Sequence, residues 1–211
     1  MQIAMRRRSP VQGQLFSFLL LTLLAARPAA ANISDVALST ELGAGLSTLT
    51  QNVDPSLSLA AGLVTDWGLA QELELGIRRY DTNYFADKVP FKVYGRRLAV
   101  PIRLGVRYIG RLGRVEPIFT LRLGGAVTQT TATKLITVAT SLTGKGLTGS
   151  TYDFNLAYHV GLGLNFPATR HVSLGFNVAY DGIDSGGGGS LISDAQILFN
   201  FNLRIMLGLS S

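Results

Sequence analysis

Cysteine is absent from the 211 residues, which excludes a disulfide framework and any thiolate metal site. With two histidines and no cysteine, a transition-metal centre is not expected either, and no motif calls for a cofactor. Charge is scarce: Asp, Glu, Lys and Arg make up 15% of the chain. Long apolar runs are scarce too. The longest is residues 15–24 (LFSFLLLTLL), about half of the roughly 20 residues a helix needs to cross a bilayer. Beyond residue 31 nothing approaches that length. Such a chain is too apolar for an ordinary solvated surface, yet it has no segment able to span a membrane as a helix.

The amino terminus explains the apolar run. Arg6, Arg7 and Arg8 precede it, and Pro28 ends it. Ala29 and Ala31 then supply the small-x-small pattern of a signal-peptidase site. A signal peptide over 1–31, cleaved after Ala31, is expected. The arginines lack the residues that follow a twin-arginine signal, so general secretion is the expected route. Cleavage removes Arg6, Arg7, Arg8 and Arg27 and no acid, so the 19 basic residues become 15 against 13 acids. The residual charge of +2 removes the electrostatic case for nucleic acid.

What the chain has in abundance is period-two alternation, the mark of strands with two unlike faces. Val36, Leu38, Thr40, Leu42, Ala44 and Leu46 alternate with Ala37, Ser39, Glu41, Gly43 and Gly45. The pattern recurs over 57–67, 72–78, 98–108, 116–124, 154–166, 172–180 and 196–207, which makes eight strands. One face carries Leu, Val, Ile, Phe and Tyr. The other carries Gly, Ala, Ser, Asn and a few Glu and Arg. In a soluble sandwich the second face would meet water and be rich in lysine. Small residues with sparse charge suit the crowded lumen of a narrow barrel, and the large apolar residues then face lipid.

The connections agree. Short joins near 68–71, 109–114 and 167–171 alternate with longer ones over 81–97, 128–153 and 181–194. That is the pattern of bacterial barrels with tight periplasmic turns and longer external loops. The expected fold is an eight-stranded antiparallel up-and-down transmembrane β-barrel over 32–211.

The segments LAVPIRLGVRY (98–108), VEPIFTLRLGGAV (115–127) and the stretch from Phe154 through Asn165-Phe166-Pro167 to VSLGFNVAY (172–180) resemble the outer-membrane β-barrel domain family. This family includes the small OmpA/OmpX-like and porin-family barrels. The resemblance implies a location in the bacterial outer membrane. It also implies outer-membrane lipids, lipopolysaccharide and the barrel assembly machinery as partners, and a monomer. Family members are adhesins, envelope anchors, resistance factors or narrow pores. Such barrels commonly end on an aromatic residue, whereas this sequence ends Leu-Gly-Leu-Ser-Ser. Either Phe199 and Phe201 supply that signal internally, or the host's machinery tolerates this end. No peptidoglycan-binding domain is expected.

Candidate functional residues fall into three groups. The inner face gathers Glu41, Glu72, Glu74 and Glu116 with Arg78, Arg103, Arg107, Arg122 and Arg204. Buried charges must be paired, so these form either a structural ion-pair network or a charged constriction. Lys88, Lys92, Arg96 and Arg97, among Tyr84, Phe85, Phe91 and Tyr94, suit contact with anionic lipopolysaccharide. His171 and Ser173 resemble the His and Ser of outer-membrane lipid A deacylases. They fall at an expected periplasmic turn, and no acid partner is evident. His159 is expected to fill the lumen as a hydrogen-bonded side chain. A non-enzymatic barrel acting through its external loops in surface interaction or envelope integrity is expected. A narrow porin is the alternative, and a lipid A-modifying enzyme comes third.

Overall fold

The computed structural model describes residues 33–48, 51–85, 92–132, 151–184 and 194–208. The expected signal peptide, Lys88 and the glycine run 186–189 lie outside them. Eight strands follow in order: β1 (Ile33–Ser47), β2 (Val53–Thr65), β3 (Leu69–Phe85), β4 (Lys92–Ile109), β5 (Glu116–Ala132), β6 (Thr151–Pro167), β7 (Val172–Asp184) and β8 (Asp194–Gly208). Each pairs antiparallel with the next, and β8 pairs back onto β1 from Asp35↔Gly208 to Ser47↔Gln196, closing the barrel.

Closure satisfies a strict demand. In hydrocarbon an unpaired amide has no water to bond, so an open sheet edge is not tolerated. Following paired residues once round the wall gives the stagger: Leu198, Ala179, Gly161, Thr120, Arg107, Ala70, Val64, Asp35 and then Gly208. The path returns to β8 ten residues from its start. Eight strands with that stagger tilt by about 40° to the axis and enclose a bore that side chains can fill.

Alternation assigns the faces as the sequence predicts. Leu38, Leu59, Leu75, Ile102, Leu121, Leu162, Phe176 and Phe199 are exposed on the outside, while Ser39, Glu74, Arg103, Arg122, His159 and Asn200 are buried inside. An apolar outside around a polar inside inverts the soluble arrangement and excludes the sandwich. Aromatics stand toward both ends of the band: Trp67, Tyr108, Phe119 and Phe166 are exposed toward the short turns, and Phe154 is exposed toward the loop end. Phe166 lies against Phe176 with ring centroids 6.3 Å apart.

Tight local chemistry makes that turn end. Gly68 adopts φ +89°, a conformation that side-chained residues rarely take. It allows the Gly68 N–H to donate to the Thr65 carbonyl (3.0 Å), and the Gly68 carbonyl accepts from Ile109 N–H (2.8 Å). In the β4–β5 turn, Leu112 and Val115 exchange backbone bonds of 2.9 and 3.1 Å around Gly113-Arg114. In the β6–β7 turn, Thr169 Oγ1 accepts from the N–H groups of His171 and Val172.

At the opposite end the strands are longer than the sequence predicts. The alternation ends β3 at Arg78 and starts β4 at Leu98, but the strands continue to Phe85 and from Lys92. Likewise β5 reaches Ala132, β6 begins at Thr151 and β7 reaches Asp184, so the expected loops 81–97, 128–153 and 181–194 all shrink. The reason is physical. About ten tilted residues cross the apolar core, and past it both faces of a strand meet polar surroundings. The two-face signal fades there although pairing continues.

Candidate functional site

The lumen is layered. On β3 the inward residues run Ala70, Glu72, Glu74, Arg78, Tyr80 from the turn end to the loop end. On β4 they run Ile109, Arg107, Arg103, Ala99, and on β5 Ile118, Thr120, Arg122, Ala126. Ala70, Ile109 and Ile118 belong to an apolar cluster with Ala37, Val64 and Met206 at the turn end. Tyr80, Ala99 and Ala126 belong to another with Ala157 and Ile183 at the loop end. Eight of the inward charges lie between the two, while the buried Asp54 and Arg97 lie toward the loop end.

The eight are balanced four against four. Arg107 meets Glu41 (2.5 Å) and Glu72 (3.1 Å), while Arg122 meets Glu41 (3.0 Å) and Glu72 (2.8 Å). A second ring joins Arg78 to Glu74 (2.8 Å) and Asp181 (3.0 Å), and Arg103 to Glu74 (2.9 Å) and Asp181 (2.7 Å). Arg122 links the rings through Glu74 (3.2 Å). Every carboxylate touches at least two guanidinium groups, and every guanidinium at least two carboxylates. Arg103 also donates to the Tyr158 carbonyl (3.0 Å). Tyr80 Oη donates to Asp181, and His159 Nδ1 lies 3.0 Å from the same carboxylate. His159 is thus the hydrogen-bonded lumen residue that the sequence predicts.

Glu116 and Arg204 stand apart from these rings. They pair with each other nearer the turn end, where Arg204 also donates to Ser173 Oγ (3.1 Å) and Ser173 Oγ to Glu116 (3.3 Å). The seven other members of the predicted network are together in the rings. Asp181 and Tyr80 are missing from the prediction. Both continue the inward parity of their strands, Asp181 after Asn177 and Ala179, Tyr80 after Arg78. Extending each strand by one inward position finds them.

Arginine suits this lumen because its planar fork donates to two carboxylates at once. Amides fill the rest of the bore: Asn200 donates to Asn177 (3.0 Å), Asn202 to Asn165 (2.9 Å), and Ser56 to Asn200 (2.9 Å).

The His171–Ser173 pair is not assembled as a nucleophile and base. Ser173 points into the lumen onto Glu116 and Arg204, whereas exposed His171 places Nδ1 3.2 Å from the Met206 carbonyl.

The candidate lipopolysaccharide cations divide. Arg96 is exposed on the outside of β4, but Arg97 turns inward and is 6% exposed, because adjacent strand residues face opposite ways. Lys92 begins β4 opposite Phe85. Exposed Arg79 joins Arg96 on the outside: Ile77 and Leu98 close the apolar band, and the next outward positions are Arg79 and Arg96. Arg79 escapes the prediction because residues past Arg78 are read there only from 81 onward, as loop.

No family model matches the chain, and no curated protein does. Solved structures do. Neisserial surface protein A (NspA) of Neisseria superposes with a TM-score of 0.52 at 14% identity, covering 83% of this chain and 98% of that one. Ail, the attachment invasion locus protein of Yersinia pestis, scores 0.47 at 10% identity over 82% of this chain and 97% of its own. A major outer membrane protein of Thermus thermophilus scores 0.46 at 16% identity over 81% and 99%. By fold, the chain is an eight-stranded β-barrel of the outer-membrane type.

Proposed function

We propose that the chain is a non-enzymatic integral protein of the bacterial outer membrane, exported with cleavage after Ala31. In this reading its short turns lie in the periplasm and its loop end works at the cell surface, in surface interaction or envelope integrity. The observation that carries it is the filled lumen. Eight mutually neutralised charges lie between an apolar cluster at each end, so solute passage would require breaking buried ion pairs at a cost of several kcal/mol each. That weighs against the narrow porin. The separation of His171 from Ser173 weighs against the lipid A-modifying enzyme. Function then falls to the outer surface and loops, where binding residues concentrate on barrels.

The outward residues there include two cations. Arg79 and Arg96 emerge on neighbouring strands where the apolar band stops, at the height of the phosphorylated headgroups of lipopolysaccharide in the external leaflet. Lys88 and Lys92 lie between Arg79 and Arg96 in the sequence. Each basic residue near an anionic surface contributes about 1 kcal/mol, so reversing Arg79 and Arg96 to Glu should weaken lipopolysaccharide binding by at least about 30-fold. Titration of the refolded barrel with lipopolysaccharide measures this, and unchanged affinity would reject the assignment. In planar bilayers the wild-type barrel should give no conductance steps, and discrete steps would restore the porin.

A further inference from the structure

The turn end carries a feature that neither the lumen nor the loop end uses. The β4–β5 turn reads Arg111-Leu112-Gly113-Arg114, and all four residues are exposed, Leu112 to 70%. The β6–β7 turn brings exposed Arg170 next to it, because β5 and β6 pair up to Glu116↔Asn165. On the other side the β2–β3 turn brings Trp67, 51% exposed, since Leu69 pairs with Tyr108 and Gly68 bonds to Ile109. Three adjacent turns thus form one rim of arginines set among Leu112, Trp67, Tyr108 and Phe166.

Opposing charge on the rim is slight. Asp66 is exposed in the β2–β3 turn, Asp35 lies at the start of β1, and Glu116 is already engaged by Arg204. A guanidinium group beside exposed leucine and tryptophan at the edge of a lipid-facing band is placed where the phosphate of a lipid headgroup lies. The apolar side chains enter the acyl region and the arginines meet the phosphate above it. A soluble partner would not require the apolar residues to be continuous with the lipid-facing band.

We propose that Arg111, Arg114 and Arg170 form a selective seat for anionic glycerophospholipid headgroups in the leaflet at the turn end. This rests on the membrane-spanning reading, but not on which side of the membrane the turns face.

Trp67 is the sole tryptophan of the chain and lies on this rim, so it reports the lipid beside it. The experiment refolds the barrel into phosphatidylcholine vesicles in which an equal mole fraction is replaced by brominated phosphatidylglycerol or by brominated phosphatidylcholine, both quenchers of tryptophan. The anionic lipid should be enriched about threefold or more around Trp67, and the preference should shrink in high salt. The triple variant Arg111→Gln, Arg114→Gln, Arg170→Gln should lose the preference while keeping heat-modifiable gel migration. The corresponding triple Lys variant should retain it. Should the triple Gln variant fail to fold, Arg114→Gln alone, at the turn tip, should lower the preference. Equal quenching by both lipids in the wild type, or an undiminished preference in the folded Gln variant, overturns the proposal. If neither lipid quenches Trp67, the membrane-spanning reading itself fails, a result distinct from lost selectivity.

Discussion

Replacing Asp181 with alanine tests the balanced lumen most directly. This carboxylate accepts from Arg78 (3.0 Å) and Arg103 (2.7 Å), receives the Tyr80 hydroxyl and lies 3.0 Å from His159 Nδ1. All five groups are buried. Removing the acid leaves four guanidinium groups against three carboxylates, with two of the four short of a partner. Removal of one partner from a buried ion pair costs about 3–5 kcal/mol, and the upper half of that range is expected because two arginines lose a contact. Converting Arg78 to alanine in the same chain restores neutrality. The double variant should therefore be more stable than the sum of the two single losses implies, by about 2 kcal/mol. Urea titration of the barrel refolded in vesicles, followed by Trp67 emission and by heat-modifiable gel migration, measures each corner of the cycle. A loss below about 1 kcal/mol for Asp181→Ala, or strict additivity in the double variant, would refute charge balance as the source of lumen stability.

Two further outcomes follow from backbone geometry and from topology. A Cβ added at Gly163 would lie 2.5 Å from the Phe176 carbonyl oxygen and 2.7 Å from Asn177 Cβ. Gly163→Val should therefore cost about 1–3 kcal/mol or more in the same titration, and an unchanged midpoint would show that the β6–β7 wall can yield. A cysteine introduced at Leu112, in an otherwise cysteine-free chain, should react with an impermeant maleimide only after the outer membrane is permeabilised. Reaction on intact cells would invert the orientation.

The wall of the barrel is legible in the sequence because lipid on one side and a narrow lumen on the other impose opposite demands on neighbouring residues. Leu73, Leu75 and Ile77 against Glu72, Glu74 and Arg78 could hardly be read otherwise. Membership of the charged lumen follows from the same parity. Its wiring does not. Arg122 on β5 reaches Glu41 on β1, and Asp181 on β7 reaches Arg78 on β3, across a bore whose ten-residue stagger has no local signature. Glu116 and Arg204 look like further members of one network, and only their height on β5 and β8 separates them. Arg97 illustrates the opposite error. In a run read as loop, Arg96 and Arg97 look equivalent, whereas in a strand they cannot share a face.

The lumen charges also bear on how the wall can come together. Glu41 on β1 is neutralised by arginines on β4 and β5, and Asp181 on β7 by arginines on β3 and β4. None of these contacts lies within a single hairpin. A sheet still open at the β8–β1 seam would therefore offer the membrane both unpaired amides and unneutralised carboxylates, and the two penalties would be lifted in the same event. The β3–β4 hairpin already pairs Glu74 with Arg103 and Glu72 with Arg107, but Glu41 and Asp181 gain their arginines only as the wall curls shut.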